Sequence, residues 1–196
     1  MGHPISDSAL RQVFTEARSH HHWLKTPVTD DQLHRIYDLT KWGPTSVNSQ
    51  PMRIVFVRSA EEKEKIVPSL LGSNVEQVRT APITAIIAFD EKFYDNLPKF
   101  FPAYDVRPLF ANNPAMRDVT AMRNSSLQGG YFMLAVRSLG LDVGPMSGFD
   151  NAKVDAAFFE GTSWKSNFLC NIGYADYEKA YPRGVRMTFE EACKIV

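Results

Sequence analysis

The chain has 196 residues, which is enough for one domain with a complete hydrophobic core. With 44% hydrophobic and 22% charged residues, its composition is that of a compact globular protein, and it excludes a disordered chain, a collagen and a coiled coil. Its 22 Lys and Arg balance its 22 Asp and Glu, so it lacks the excess positive charge with which proteins wrap nucleic acid.

The sequence carries no signal for a membrane or for secretion. Its longest strongly apolar stretch, residues 83–89, is far shorter than the roughly 20 residues that cross a bilayer. The first ten residues lack the basic start and apolar block of a signal peptide. Cys170 and Cys193 have no metal-ligand spacing, which is typical of proteins in a reducing compartment. We therefore expect a cytoplasmic protein whose partners include neither membrane nor nucleic acid.

Apolar residues at helical spacing predict two helices in the first quarter of the chain. The first begins after a cap at Asp7 and ends near Arg18. The second begins at Thr29 or Asp30, and Gly43 followed by a proline ends it.

Strands and short helices alternate in the next part of the chain. Residues 44–51 are rich in small polar residues and are bounded by prolines, which predicts a loop with many hydrogen-bonding groups. Buried strands are predicted over 54–57 and 82–89, and short helices over 60–66 and 73–80.

Residues 91–115 break this alternation, because prolines and aromatic side chains are interspersed there without a regular period. Two interpretations stay open for this stretch. It is either an aromatic flap that covers a substrate or a part of the core, since most phenylalanines in proteins are buried.

The remaining sequence predicts a long, central and buried helix over 117–139, an extended run over 141–146 and a strand over 164–175. A capping box of Thr188 and Glu191 predicts a last short helix. Helices and strands alternate without repeats or linkers, so the class is mixed α and β.

Several familiar sites are not supported. The chain has neither GxGxxG nor GxxxxGK[ST], and Ser147 in GPMSGF does not match the GxSxG elbow of serine hydrolases. The run of histidines at 20–22 suggests a metal, but adjacent side chains diverge and no fourth ligand has suitable spacing. We therefore predict no metal site and interpret these histidines as solvated or facing an anion.

Two cationic positions are far apart in the sequence. Arg18 with Ser19 follows the first helix, and Arg183 with Arg186 lies near the carboxyl end. If folding joins them they form a phosphate clamp, because guanidinium groups pair with phosphate oxygens through two bonds. The alternative is that they are ordinary solvated surface charges.

Four segments, taken together and in this order, resemble the nitroreductase family of FMN enzymes. They are ARSHHHW at 17–23, WGPTSVNSQP at 42–51, GLDVGPMSGFD at 140–150 and NIGYADYEKAYPRGVR at 171–186. More narrowly, RSHHHWL, KWGPTS and PRGVRMTFEEACKIV are similar to the branch of malonic semialdehyde reductases, also described as 3-hydroxypropanoate dehydrogenases.

This resemblance implies a single α+β domain over residues 1–196, an FMN-binding sandwich in which helices flank a central mixed sheet. It also implies an intertwined homodimer with FMN bound in clefts at the dimer interface. The residues that it assigns to the cofactor are Arg18, Ser19, His20, Pro44, Thr45, Ser46, Asn48, Gln50, Asn74, Asn124, Pro145, Met146, Ser147, Gly148, Arg183 and Arg186.

The resemblance also gives these residues roles. Residues 18–20 and the two carboxyl-terminal arginines would meet the phosphate and ribityl chain, and the loop at 44–50 would come from the partner subunit. Asn74 would lie near the pyrimidine edge of the ring. Residues 145–148 would run along the isoalloxazine, with a backbone N–H near Ser147 or Gly148 bonded to flavin N5.

The implied chemistry is ping-pong hydride transfer from NADH or NADPH through flavin N5, with no side chain acting as a nucleophile. The acceptor would be a small aldehyde such as malonic semialdehyde. The alternatives are a broad-specificity nitroarene or quinone reductase and a flavin-binding module without turnover. Ser147, His22 and Gln77 stand where some members of the family have Glu or Lys, so contacts to nicotinamide or phosphate are expected to differ.

Overall fold

The computed structural model describes residues 2–196. Its helices are α1 Asp7–Leu10, α2 Asp30–Thr40, α3 Ala60–Ile66, α4 Asn74–Thr80, α5 Leu97–Phe100, α6 Arg107–Ala111, α7 Pro114–Ser138, α8 Asn151–Phe158 and α9 Phe189–Ala192. Its strands are β1 Met52–Val57, β2 Ile83–Asp90, β3 Asp142–Met146 and β4 Trp164–Gly173.

The four strands form one sheet in the order β1-β2-β4-β3, with β1 and β3 at the edges. Every neighbouring pair is antiparallel. The expected mixed sheet is therefore not found within the subunit, where parallel pairing is limited to an isolated bridge between Ser19 and Val143. The segment before residue 20 extends beside β3 too briefly to make a further strand.

Helices cover both faces of the sheet, which makes the sandwich that the sequence predicts. Strand β2 is buried along its whole length, and its side chains alternate between two apolar layers. Ile83 and Ile87 pack on the side of α2 and α7, with Phe132 and Val136. Ile86 packs on the opposite side, which α3, α4 and α8 cover.

The first helix differs from its prediction. Its cap is Ser6, whose hydroxyl accepts a hydrogen bond from the Ala9 N–H, while Asp7 lies in the first turn. From Arg11 to Thr15 the chain continues as a π-helix, and the Glu16 N–H donates to the Arg11 carbonyl. Helical structure therefore ends at Thr15, near Arg18 as predicted.

Helix α2 agrees with its prediction. The Thr29 hydroxyl and the Gln32 side chain form a reciprocal capping box at its start. Ile36 and Thr40 are buried, whereas Tyr37, which the pattern places on the same face, is 51% exposed. The exposed ring lies at the edge of a groove described below.

Helix α7 spans the sheet and has two different faces. The face toward the sheet is fully buried and consists of Ala121, Asn124, Ser125, Gln128, Gly129, Phe132, Ala135 and Val136. The outer face carries apolar side chains that are 41% to 52% exposed, namely Met116, Val119, Met122, Leu127 and Tyr131. The prediction of a central and buried helix is therefore correct for the inner face and wrong for the outer face.

Residues 91–115 contain short helices and a small apolar cluster of their own. Phe93, Leu97, Val106 and Phe110 are buried there together with Phe89 and Ala121. Of the two interpretations of this stretch, a flap or a part of the core, the second is correct for these side chains. Tyr104 and Leu109 are 65% and 49% exposed, so the stretch also presents apolar groups outward.

Residues 180–196, here called the carboxyl-terminal arm, are exposed throughout. The arm contains α9, which begins with the predicted capping box of Thr188 and Glu191. Val185, Met187 and Phe189 are 97%, 70% and 58% exposed, respectively. None of the helices formed by residues 2–196 combines the length and the apolar character needed to cross a bilayer.

Candidate functional site

The amino-terminal segment lies tightly against the edge strand β3. The His20 N–H donates to the Val143 carbonyl at 2.9 Å. A Cβ atom at Gly144 would lie 2.3 Å from the His20 carbonyl oxygen, so this position requires glycine. The close approach fixes residues 18–22 beside the end of the sheet from which residues 145–148 emerge.

Folding brings the two distant cationic positions together. The Arg183 Nη2 atom donates to the Ala17 carbonyl at 2.8 Å, and the Arg18 Nη1 atom donates to the same carbonyl at 3.2 Å. Burial, followed by the like charges of Arg18 and Arg186, lowers the pKa of Arg183. The Arg183 guanidinium therefore lies close enough to Arg18 and to Arg186 to be repelled by both.

This cluster has no negative counterpart in the subunit. Within residues 2–196, no carboxylate forms an ion pair with Arg18, Arg183 or Arg186. Unpaired guanidinium groups that share one carbonyl are suited to a dianion such as a phosphate. We call this group the arginine cluster.

Sequence reasoning missed a fourth arginine near this cluster. Arg137 lies on the last turn of α7, and burial lowers its pKa. Its Nη1 atom donates to the Val13 carbonyl at 3.3 Å, and none of the carboxylates in the described chain is within ion-pairing distance. The only local signal was a basic residue in an otherwise apolar part of the helix.

Asn74 and Gly148 form the next part of the site. The Asn74 Nδ2 atom donates to the Gly148 carbonyl at 3.0 Å, and the Leu71 N–H donates to it at 3.0 Å. A Cβ at Gly148 would lie 2.8 Å from Asn74 Nδ2, so glycine permits this contact. The backbone N–H groups of Ser147 and Gly148 find no acceptor among residues 2–196. Two adjacent donors are therefore free for a ligand.

A cavity of about 310 Å³ lies between residues 21–23 and α4. Its lining residues are His21, His22, Trp23, Ser73, Glu76, Gln77, Thr80, Lys179 and Tyr181. The buried Trp23 Nε1 atom has no hydrogen-bond partner in the part of the chain described. His21 contacts the Tyr181 ring edge-on at 5.2 Å, and burial lowers its pKa. The Trp23 indole is a lining group that sequence reasoning did not select, whereas His21 belongs to the histidine run that it interpreted as solvated or facing an anion.

The His20 side chain faces away from this cavity. It is 2% exposed, with Nε2 3.4 Å from the Asp142 carboxylate and the ring edge-on to Tyr177. Burial and the hydrogen bond to Asp142 raise the pKa of Tyr177 to about 12. The backbone N–H of His20 is also occupied, by its bond to the Val143 carbonyl. Among residues 2–196 there is no group of three or more His, Cys, Asp or Glu side chains that could hold a metal ion.

The loop at 44–50 lies at the opposite edge of the sheet, immediately before β1. Val47, Asn48 and Gln50 have left-handed backbone angles, with φ of 47°, 50° and 44°. Strands β1 and β3 are separated by β2 and β4, which corresponds to roughly 14 Å at the usual spacing of strands. One subunit therefore does not bring this loop to the arginine cluster.

The geometry defines a class of site. The arginine cluster, the two free backbone donors of residues 147 and 148 and the Asn74 amide lie along the β3 edge of the sheet. Gln77, which donates to Asn74, lines the cavity beside α4. Such a set binds an anionic cofactor with a polar ring edge, and the cofactor supplies the reactivity.

Comparison with known proteins identifies the family. The model of the nitroreductase family matches residues 15–174. A Rhodopseudomonas palustris protein, provisionally named NADH dehydrogenase/NAD(P)H nitroreductase, is 52% identical over 100% of both chains. A Ralstonia nicotianae protein of the same designation is 51% identical over 98% of both chains. This chain belongs to the nitroreductase family.

Solved structures share the fold at low sequence identity. A nitroreductase-like structure from Exiguobacterium sibiricum in complex with FMN has a TM-score of 0.85 at 22% identity and covers 100% of both chains. The family membership confirms the predicted class of enzyme, an FMN-dependent NAD(P)H oxidoreductase, and the predicted α+β sandwich.

Proposed function

We propose that this enzyme is a cytoplasmic homodimer that reduces a small aldehyde such as malonic semialdehyde to 3-hydroxypropanoate by a ping-pong reaction. The observation that carries the cofactor assignment is the arginine cluster, in which Arg18 and Arg183 donate to one carbonyl and face no carboxylate. Bound FMN supplies hydride transfer through its N5 atom, and NADH or NADPH supplies the electrons.

The residues at the β3 edge would contact different parts of FMN. Arg18, Arg183 and Arg186 would neutralise the phosphate, with Ser19 beside them. Asn74 would meet the pyrimidine edge, because its amide is already held against Gly148. Pro145 and Met146 would lie along the ring, and the free N–H groups of Ser147 and Gly148 would donate to N5.

The dimer would complete this site with the loop of the partner subunit. The loop residues assigned to the partner's cofactor are Pro44, Thr45, Ser46, Asn48 and Gln50. They lie across the sheet from the arginine cluster of their own subunit, so a shared site needs two copies. This separation supports the proposed dimer.

Two further features support the dimer. A groove of about 580 Å³ runs along the edge strand β1, and its apolar lining includes Leu33, Tyr37, Ile54, Phe56 and Phe100. The exposed apolar residues of the carboxyl-terminal arm match this groove in character. We propose that each arm crosses to the groove of the other subunit. An arm that pairs in parallel with β1 would also make the sheet mixed.

A second candidate function is the reduction of nitroarenes or quinones. The relative from Rhodopseudomonas palustris, named an NAD(P)H nitroreductase, favours it. The two functions share the cofactor site and differ in the substrate. Steady-state rates against malonic semialdehyde, a quinone and a nitroarene would separate them, and the aldehyde should give the highest kcat/KM.

Reconstitution with FMN tests what the two candidate functions share, which is the binding and reduction of the cofactor. The wild-type protein should bind FMN, and NADH or NADPH should bleach the yellow colour without air. Arg18→Ala should weaken FMN binding by about 1.5 to 3 kcal/mol, roughly 10- to 150-fold in Kd. Arg11→Ala removes an exposed arginine that already pairs with Glu16 and serves as the control. A colour that persists with both nucleotides would indicate a binding module without turnover.

A further inference from the structure

The loop before β1 holds an unfavourable backbone conformation. Val47, Asn48 and Gln50 all have φ between 44° and 50°, a region that favours glycine. Val47 is the most strained because its side chain is β-branched. Such angles persist only where the surroundings hold them, and they concentrate at functional sites. The groups that hold this loop are therefore of interest.

One buried amide on α7 holds the first part of the loop. Asn124 is 6% exposed, and its Oδ1 atom accepts a hydrogen bond from the Ser46 N–H at 2.8 Å. Its Nδ2 atom donates to the Thr120 carbonyl at 2.8 Å. The opposite amide orientation would place donor against donor and acceptor against acceptor, so the two bonds fix the side chain.

Two further contacts join the loop to residues 91–115. The Val47 side chain packs against the buried cluster of Phe93, Leu97 and their neighbours. The Asn48 Nδ2 atom donates to the Phe100 carbonyl at 3.0 Å. The loop is therefore clamped between α7 and this aromatic segment.

We propose that Asn124 is a positioning residue, which holds the strained loop in the shape that meets the cofactor of the partner subunit. This inference rests on the proposed FMN dimer. In this proposal Asn124 acts through the loop, because both polar atoms of its amide have partners within the subunit.

The test compares three variants of the full-length protein. Asn124→Leu removes both bonds at nearly constant volume, while Asn124→Asp keeps an acceptor for the Ser46 N–H. Gln128→Leu is the matched control, because Gln128 is a buried amide one turn further along α7 and accepts from the Met52 N–H at 3.0 Å. Met52 is also held by its pairing with β2, so the control leaves the loop in place.

Two readouts are measured, the Kd for FMN and hydrogen exchange of the backbone N–H groups of residues 44–50. Asn124→Leu should speed exchange in the loop and weaken FMN by about tenfold or more. Asn124→Asp should stay within about threefold of wild type. Gln128→Leu should change neither quantity.

Several results would overturn the inference. One is an unchanged Kd in Asn124→Leu despite faster loop exchange, and another is an equal loss in Gln128→Leu. If Asn124→Asp binds FMN as weakly as Asn124→Leu, then FMN binding depends on the bond from the amide N–H to Thr120 and not on the bond to Ser46 in the loop. If the wild type does not bind FMN, the proposed function fails, whereas the exchange data still report whether Asn124 holds the loop.

Discussion

The two faces of α7 differ in how much of their side-chain surface the subunit buries. On the inner face, Phe132 and Val136 are fully buried, and the polar Asn124 and Gln128 have backbone partners. On the outer face, apolar side chains such as Leu127 remain more than 40% exposed. The difference teaches that the inner face of α7 is fully packed within the chain, whereas the outer face keeps the exposed apolar surface to which the proposed dimer assigns a partner.

The sheet and the carboxyl-terminal arm show the same contrast. Strand β2 is buried along its length, whereas the arm extends away and is exposed from residue 180 onward. Tyr181 and Arg183 contact the amino-terminal segment, whereas the apolar residues beyond them, such as Val185, Met187 and Phe189, are exposed. Exposed apolar residues beside a capped short helix are typical of a segment that binds a second copy.

Removal of residues 181–196 is the strongest test of this contrast. We expect the truncated chain to lose the dimer at micromolar concentration and to lose FMN binding, because the arm carries Arg183 and Arg186 as well as the apolar contacts. Sedimentation velocity and FMN fluorescence would measure both effects.

A double substitution in the arm separates its expected role in FMN binding from its expected role in dimer formation. Arg183→Ala with Arg186→Ala should weaken FMN binding and leave the dimer intact. If the truncated chain still sediments as a dimer, the outer face of α7 alone accounts for association, and the crossing arm is wrong.

Two adjacent glycines on α7 offer a test of the difference between its buried and its exposed face. A Cβ at Gly129 would lie 2.6 Å from the Phe168 ring, whereas one at Gly130 meets nothing within 4 Å. Gly129→Ala should therefore destabilise the subunit by about 1–3 kcal/mol through overpacking. Gly130→Ala should stabilise it by about 0.5–1 kcal/mol through helix propensity.

Urea denaturation would measure the free energy of unfolding for both glycine variants. Equal effects would show that Phe168 moves away without cost. A loss of the dimer in Gly130→Ala alone would place the partner subunit against this face.

The sequence was most informative where a signal is local. The periodicity of α7, the buried run of β2 and the two capping boxes at Thr29 and Thr188 each depend on a few neighbouring residues. The start of α1 was displaced because Ser6 and Asp7 are both good caps, and only the structure shows which side chain accepts the bond.

The candidate site depended on contacts that no local pattern reports. Arg18 and Arg183 could be joined only through the family resemblance, since their spacing does not indicate contact. Arg137 gave only a weak signal, a basic residue in an apolar part of α7, because it becomes relevant only through the folding of the amino-terminal segment and the arm around it. The mixed sheet was expected from the family, and the subunit supplies only its antiparallel part.

The buried His20 gives the smallest of the expected effects, a loss of stability in acid. Burial lowers its pKa despite the opposing charge of Asp142, so the folded state binds a proton less readily than the unfolded chain. The contribution of His20 to the free energy of unfolding should therefore be constant above the unfolded pKa. It should fall as the pH drops below the unfolded value of about 6.5, by at most about 1.4 kcal/mol per pH unit.

Thermal melts between pH 8 and pH 5 would measure this effect of His20. His20→Asn should lower stability at every pH but flatten the acid slope, while His34→Asn, at an exposed position of α2, should leave the slope unchanged. An unchanged slope in His20→Asn would assign the acid sensitivity to other groups. The effect would then say nothing about the packing of residues 18–22 on β3. A flattened slope would show that this packing excludes the charged imidazole, so that acid weakens the segment that presents Arg18.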